Sequence, residues 1–151
     1  MWKGSEAMFS SASCDWTTPE STYAGLDEEF HFTMDPCPVE ADFDGLAIRW
    51  VGSVFVNPPY GRGNVIVPWV KKGWESGEEG ATVVMLLPSR TDTRWWHEYV
   101  MRGEIRFIRG RLKFSGARWN APFPSVVVIF KGRELGVVSG RWWEGGTTKR
   151  H

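Results

Sequence analysis

Three apolar residues, Val54-Phe55-Val56, run directly into Asn57-Pro58-Pro59-Tyr60-Gly61, and no other junction constrains the fold of this chain so tightly. A short β-branched and aromatic run reads as a buried strand. Two consecutive prolines, with no N–H to give to a ladder, must end it. Downstream, Val67, Val70, Lys71 and Trp74 fall on one face of a helix over 67–76, and 81–87 is a second apolar run that stops at Pro88. Strand, helix and strand in succession predict an α/β sheet. In open sheets of that class ligands bind beyond the carboxyl ends of the strands, which is where the proline loop must lie.

The rest of the chain extends this unit on both sides. Residues 1–14 are small, polar and aperiodic and read as a flexible N-terminal arm. Residues 19–30 suit a short helix with Pro19 in its first turn and Thr17 or Thr18 near the cap. The aromatic stretch 30–34 reads as a strand halted by Asp35-Pro36. Further on, 93–101 reads as a helix, 105–108 alternates as a strand, 111–114 suits its hairpin return, and 125–130 reads as the last strand. The late pair makes part of the sheet antiparallel. One domain over 15–131 with a C-terminal extension over 132–151 is expected, since 151 residues with 42% apolar content fit a single core. Between Asp35 and Val54 there is too little chain for a helix, a strand and a second helix, because one crossover alone takes a dozen or more residues. The sheet is therefore expected to be truncated.

Charge is balanced, 18 basic residues against 18 acidic, so the chain is not a polycation that binds nucleic acid by net charge. It is segregated, however. Residues 20–44 carry acids and no Lys or Arg, whereas 102–118 hold Arg102, Arg106, Arg109, Arg111, Lys113 and Arg118 against Glu104 alone. Such polarity predicts one basic face for a phosphate backbone. Alternation along 105–108 separates Arg106 from Arg109, which leaves Arg109, Arg111 and Lys113 as the stronger phosphate candidates. Arg90 and Arg94, flanking the end of the second strand, suit DNA phosphates or the bracing of the helix behind them equally well. No stretch approaches the roughly 18 apolar residues of a membrane span and no signal-peptide core is present, so a cytoplasmic location is expected. Cys14 and Cys37 lack the paired spacing of a zinc site and read as reduced thiols. Asp42 and Asp44 hint at a calcium loop, but Val51 stands where the closing glutamate belongs, and no metal is expected.

The chemistry of the proline loop is specific. The Asn57 oxygen and the proline carbonyls are acceptors in a preset geometry, suited to an exocyclic amino group that offers only N–H donors. Tyr60 offers a face to a planar base, a contact worth about 1–3 kcal/mol. An Asn-Pro-Pro-Tyr sequence after a strand resembles the active-site signature of amino-group methyltransferases, among them enzymes that methylate a protein glutamine. Together with Asp15-Trp16-Thr17-Thr18-Pro19, Phe32-Thr33-Met34-Asp35-Pro36-Cys37, Leu87-Pro88-Ser89-Arg90-Thr91-Asp92-Thr93-Arg94-Trp95, Ile108-Arg109-Gly110-Arg111-Leu112-Lys113-Phe114 and Asn120-Ala121-Pro122-Phe123-Pro124-Ser125, it resembles the phage-type DNA N6-adenine methyltransferase (Dam-like) family over 15–131.

That resemblance implies a truncated Rossmann-like S-adenosylmethionine-dependent methyltransferase fold, with a mixed sheet whose C-terminal part is antiparallel. It implies methyl transfer from S-adenosylmethionine to a flipped DNA adenine by in-line displacement without a metal, and an origin in a phage or prophage of a bacterial host. Position by position, Asn57, Pro58, Pro59 and Tyr60 become catalytic, Thr18 and Pro19 hold the methionine end of the cofactor, and Asp35 and Pro36 form the first cofactor loop. Phe123 packs on the extruded base, and Arg90, Arg94, Arg109, Arg111 and Lys113 contact DNA. The first loop, Asp35-Pro36-Cys37-Pro38, lacks the glycines usual there, so its cofactor contacts must differ. With the strand that usually holds the ribose hydroxyls missing, Asp42 or Asp44 substitutes, or the cofactor stays partly exposed. RNA-adenine or protein-glutamine methylation is the alternative within the same chemistry, and a non-catalytic nucleic-acid-binding module of the same fold is the alternative outside it. A homodimer is left open.

Overall fold

A computed structural model describes residues 17–114 and 117–132 and the backbone of 138–143. The arm expected over 1–14 lies outside the described residues. The elements are α1 (Glu20–Phe30), β1 (Ser53–Val56), α2 (Ile66–Glu78), β2 (Thr82–Pro88), α3 (Arg94–Glu98) with a 3-10 turn at Val100–Arg102, β3 (Glu104–Ile108), β4 (Ser125–Phe130) and β5 (Val138–Trp143).

The strands form one mixed sheet in the order β1-β2-β4-β3-β5. β1 and β2 run parallel, with Val54 beside Val83 and Val56 beside Met85, and α2 supplies the crossover that a parallel pair requires. β4 is antiparallel to β2 and to β3. It sits mid-sheet with every residue buried, which is why its sequence is an almost unbroken apolar run. α2 can lie close to the sheet because it presents Gly73 and Gly77 there: a Cβ on Gly73 would come within 2.5 Å of Met85 Sδ, and one on Gly77 within 2.8 Å of Phe130 Cβ. The buried face of α2 is consequently Ile66, Trp69, Val70, Gly73, Ser76 and Gly77, with Lys71 exposed.

Several expectations are corrected. α1 begins after Pro19, which is itself the N-cap residue, and no side chain caps the helix, so neither Thr17 nor Thr18 plays that part. The strand expected over 30–34 shrinks to a single parallel bridge, Met34 beside Val54. Phe30 closes α1, His31 turns the chain with a left-handed φ of 51°, and the Phe32 N–H donates to Asp27 Oδ1. The aromatic run serves packing instead: Phe32 lies 5.2 Å from Phe55 and 5.6 Å from Tyr23, ring centre to ring centre. Residues 111–114 form no hairpin with β3. Leu112 and Phe114 are buried in the core, and their period-two spacing imitates a strand. β3 is flanked by β4 and, in parallel, by β5, so the segment expected as a trailing extension adds a strand to the sheet. The helix expected over 93–101 splits into α3 and the 3-10 turn.

Residues 35–52 contain neither helix nor strand, as the short spacing required. Cys37 is buried and disulfide-bonded, which corrects the reduced thiol expected there; Cys14 lies outside the described residues. No helix among the described residues is long and apolar enough to cross a membrane.

Candidate active site

β1 and the Met34 bridge run parallel, so their carboxyl ends emerge on one rim and deliver Asn57 and Asp35 side by side in the order of the sheet. β2 ends on the same rim at Pro88, where Ser125 opens β4 opposite it and Phe123 precedes that strand. The topology thereby gathers residues from four separate parts of the chain.

At the centre stands Asn57, only 7% exposed and flanked by the buried Pro58 and Pro59. Its Nδ2 donates to Thr18 Oγ1 at 3.1 Å. Its Oδ1 accepts from the Tyr60 hydroxyl at 2.9 Å, and that hydroxyl lies 2.6 Å from the Leu86 carbonyl oxygen, so the phenolic proton is shared between two acceptors. Burial pushes the Tyr60 phenol far above its usual range and keeps it a neutral donor. The amide is thus gripped from both ends, by Thr18 in the segment before α1 and by Tyr60 of its own loop, whose hydroxyl is anchored in turn on the body of β2.

Aromatic rings make the neighbouring wall. Tyr60 is 9% exposed and meets Phe123 edge to face at 5.5 Å and Phe114 at 6.2 Å. The ring expected to offer a stacking face is therefore lodged in the wall, and Phe123, half-buried, is the aromatic nearer the surface. The Arg90 guanidinium sits over Phe123, 5.8 Å from the ring centre.

Asp35 keeps contact with solvent, yet protein atoms packed around its carboxyl raise its pKa above the ordinary aspartate value, while the Cys37 N–H donating to Oδ1 at 2.9 Å pulls the other way. Pro36 is buried. Arg109, Arg111 and Lys113 line an open cleft of about 580 Å³ together with Pro19, Ser21 and Thr22 at the start of α1, one residue from the Thr18 that holds Asn57. Two expected cations fall elsewhere. Arg106 pairs with Glu29 and with Glu104 and ties β3 to α1. Arg94, its side chain 89% exposed, is bonded to Glu98 one turn along α3. Sequence reasoning missed the Leu86 carbonyl, which is invisible because any residue carries one, and the Phe114 ring, hidden in a segment taken for a hairpin. Among the described residues no group of His, Cys, Asp and Glu side chains could hold a metal ion.

A neutral, buried amide clamped at a strand end, beside aromatic rings and a cationic cleft, can accept hydrogen bonds from an uncharged amino group on a planar heterocycle whose backbone is anionic. Comparison with known proteins agrees with this chemistry. The model of the family described as DNA N-6-adenine-methyltransferase (Dam) matches residues 7–135. No curated relative and no solved structure matches the chain.

Proposed function

From the chain's membership of the DNA N-6-adenine-methyltransferase (Dam) family, we propose that it methylates adenine N6 in DNA with S-adenosylmethionine as donor, on a truncated Rossmann-like sheet. The observation that carries this reading is the Asn57 amide, fixed between Thr18 and Tyr60 on a proline loop at the carboxyl end of β1. When bound, S-adenosylmethionine supplies an electrophilic methyl group on a sulfonium. The residues present fit that donor, since Asp35 places a carboxylate on the rim beside Asn57 and suits a cationic ligand.

Adenine N6 is a poor nucleophile because its lone pair is delocalised into the ring. Asn57 Oδ1, a carbonyl oxygen with two lone pairs, accepts from the phenol and from N6–H together, and the Pro58 carbonyl accepts the second N–H. These bonds localise the lone pair and direct it at the methyl carbon. With the donor bound, its methyl group would pass to N6 and S-adenosylhomocysteine would leave, while the Asn57 and Pro58 oxygens would hold N6 in place and one N6 proton would pass to solvent. Acceptors held in place before the reaction stabilise the positive charge that develops on N6 without reorganising. The base must first leave the duplex at a cost of a few kcal/mol. Phe123 beneath Arg90 offers the half-open face that offsets it. This reading places the enzyme with its DNA in a bacterial cytoplasm, with a phage or prophage as carrier of the gene.

The decisive assay follows a radiolabelled methyl group into duplex DNA, RNA and glutamine peptides and identifies the modified nucleoside. N6-methyladenine in DNA is expected, with turnover by Asn57→Ala reduced about 10²–10³-fold. Label in RNA or peptide alone overturns the substrate, and a variant within a few-fold of the unaltered chain overturns the mechanism. A second reading, a nucleic-acid-binding module without turnover, draws on the absence of helix and strand over 35–52. Calorimetric titration with S-adenosylmethionine separates it, since such a module leaves the cofactor unbound.

A further inference from the structure

Ser125 carries the one buried side-chain polar atom without a hydrogen-bond partner among the described residues, and it stands on the rim of the candidate site. It opens β4, and every other residue of that strand is Val, Ile or Phe. An alanine would fill nearly the same space. A hydroxyl cut off from water and left unpaired costs its full desolvation, so its presence at 1% exposure asks for a partner that arrives from outside the chain.

The direction of the hydroxyl follows from the register. Ser125 pairs with Pro88, Val127 with Leu86 and Ile129 with Val84, and Val84 pairs in turn with Phe55 of β1. Alternation puts the side chains of Phe55, Val84, Val127 and Ser125 on one face, and Asn57, two residues after Phe55, follows on it. This is the face that α1 covers: Tyr23 meets Phe55 edge to face at 5.1 Å, and Arg106, beside Val127, pairs with Glu29. Thr18, just before α1, bonds Asn57 from the same side. Ser125 is two strands across from Asn57 and nearer the rim, which by the rise and spacing of strands sets their Cα atoms about 12 Å apart. That is the span of two short side chains with a flat heterocycle bonded between them. The strand start is fixed there by the Ser89 N–H, which donates to the Pro124 carbonyl at 2.8 Å.

The hydroxyl supplies what the proline loop does not. Asn57 Nδ2 donates to Thr18 and the Tyr60 proton is shared between Asn57 and Leu86, so the groups turned to a base, Asn57 Oδ1 and the Pro58 carbonyl, are acceptors. The amino group of adenine is flanked by two ring nitrogens, N1 and N7, which accept and have no hydrogen to give. Resting on the reading above, with a DNA adenine as substrate, we infer that Ser125 is a substrate-binding residue whose Oγ–H donates to one of these ring nitrogens. Phe123, two residues earlier and half-buried, packs on the same base, so ring and hydroxyl hold it together. Because the hydroxyl is covered in the free chain, this bond forms only when the base enters.

The test measures kcat/KM of the full chain and of Ser125→Ala on a duplex that the parent methylates, and on the same duplex with the target adenine replaced by 1-deazaadenine or by 7-deazaadenine. Ser125→Ala is expected to lose about tenfold on the natural base, with unchanged S-adenosylhomocysteine affinity and a thermal midpoint no lower than the parent's. One of the two analogues is expected to cost the parent about tenfold more than it costs the variant, and which one does so identifies the nitrogen. A variant as active as the parent, or one equally sensitive to both analogues, overturns the contact while the methyltransferase reading stands. A lowered thermal midpoint also overturns it, since the hydroxyl would then have a partner inside the protein. A parent chain that methylates no DNA adenine overturns both.

Discussion

An amide held at one end can still rotate, and Asn57 is held at both. Tyr60→Phe isolates the value of that grip, because the ring stays and only the hydroxyl goes. We expect turnover to fall about tenfold or more while S-adenosylhomocysteine affinity is unchanged, with stability lower by about 1–3 kcal/mol for the acceptors left unpaired; unchanged turnover would show that Asn57 needs no second anchor. Asp35 gives a prediction with a sign. Its folded pKa is raised, so without ligand this group contributes stability that is full below the unfolded value of about 3.9 and is lost as pH rises through the folded value. A cationic cofactor wants the ionised form, so its affinity should decline with falling pH from a higher pH than an ordinary aspartate would give. Asp35→Asn should bind more weakly and without that decline, and a variant that retains the parent's pH profile would assign the titration elsewhere. At this scale Asn57, Tyr60 and Thr18 were legible as types of residue, since amide, phenol and hydroxyl announce themselves. Their mutual bonds were not, because Thr18 and Asn57 are brought together only by the packing of α1 against the sheet.

At the scale of elements, the glycines of α2 separate two kinds of close approach. Alanine gains up to about 1 kcal/mol of helix propensity over glycine. At Gly73 the obstacle is the sulfur of Met85, the movable part of a flexible side chain, so Gly73→Ala should be close to neutral. At Gly77 it is the Cβ and backbone of Phe130 in the central strand, which cannot shift, so Gly77→Ala should cost about 1–3 kcal/mol. Denaturant midpoints decide it, and two variants of equal stability would contradict the argument. The same glycines explain why the helix was legible and its face was not. Periodicity counts apolar side chains, and Gly73 and Gly77 are buried without contributing any, so the expected face was drawn around Lys71 and Trp74. β1, β2 and β4 were legible because burial on both faces writes itself as continuous apolar sequence. The bridge at Met34 was overread as a strand because rings recruited for packing look like rings recruited for a ladder.

Over the whole molecule the charges that cancel in sum are parted in space. Arg109, Arg111 and Lys113 line one cleft, and Asp42 and Asp44 line another. DNA binding should fall steeply with salt, and Arg109→Ala or Arg111→Ala should weaken all sequences alike and flatten the log-affinity against log-salt slope by about one unit each. Arg106→Ala should instead lower thermal stability and leave the slope alone, because its partners are Glu29 and Glu104. Unchanged slopes for Arg109 and Arg111 would move the DNA face to Arg90. The basic cluster was legible as composition, but its division into an ion-paired Arg106 and a trio lining an open cleft needed the contact of β3 with α1. The loop 41–46, which walls the acidic cleft, has a different kind of consequence. A pocket bounded by strands cannot be resized without unpairing a ladder, whereas this one is bounded by a loop whose ties, Trp50 and Lys72, are made to backbone carbonyls at Gly45 and Leu46. Residues 41–43 can be exchanged without touching those ties. The size of that cleft is therefore set by a few surface residues, which can be swapped without redesigning the sheet.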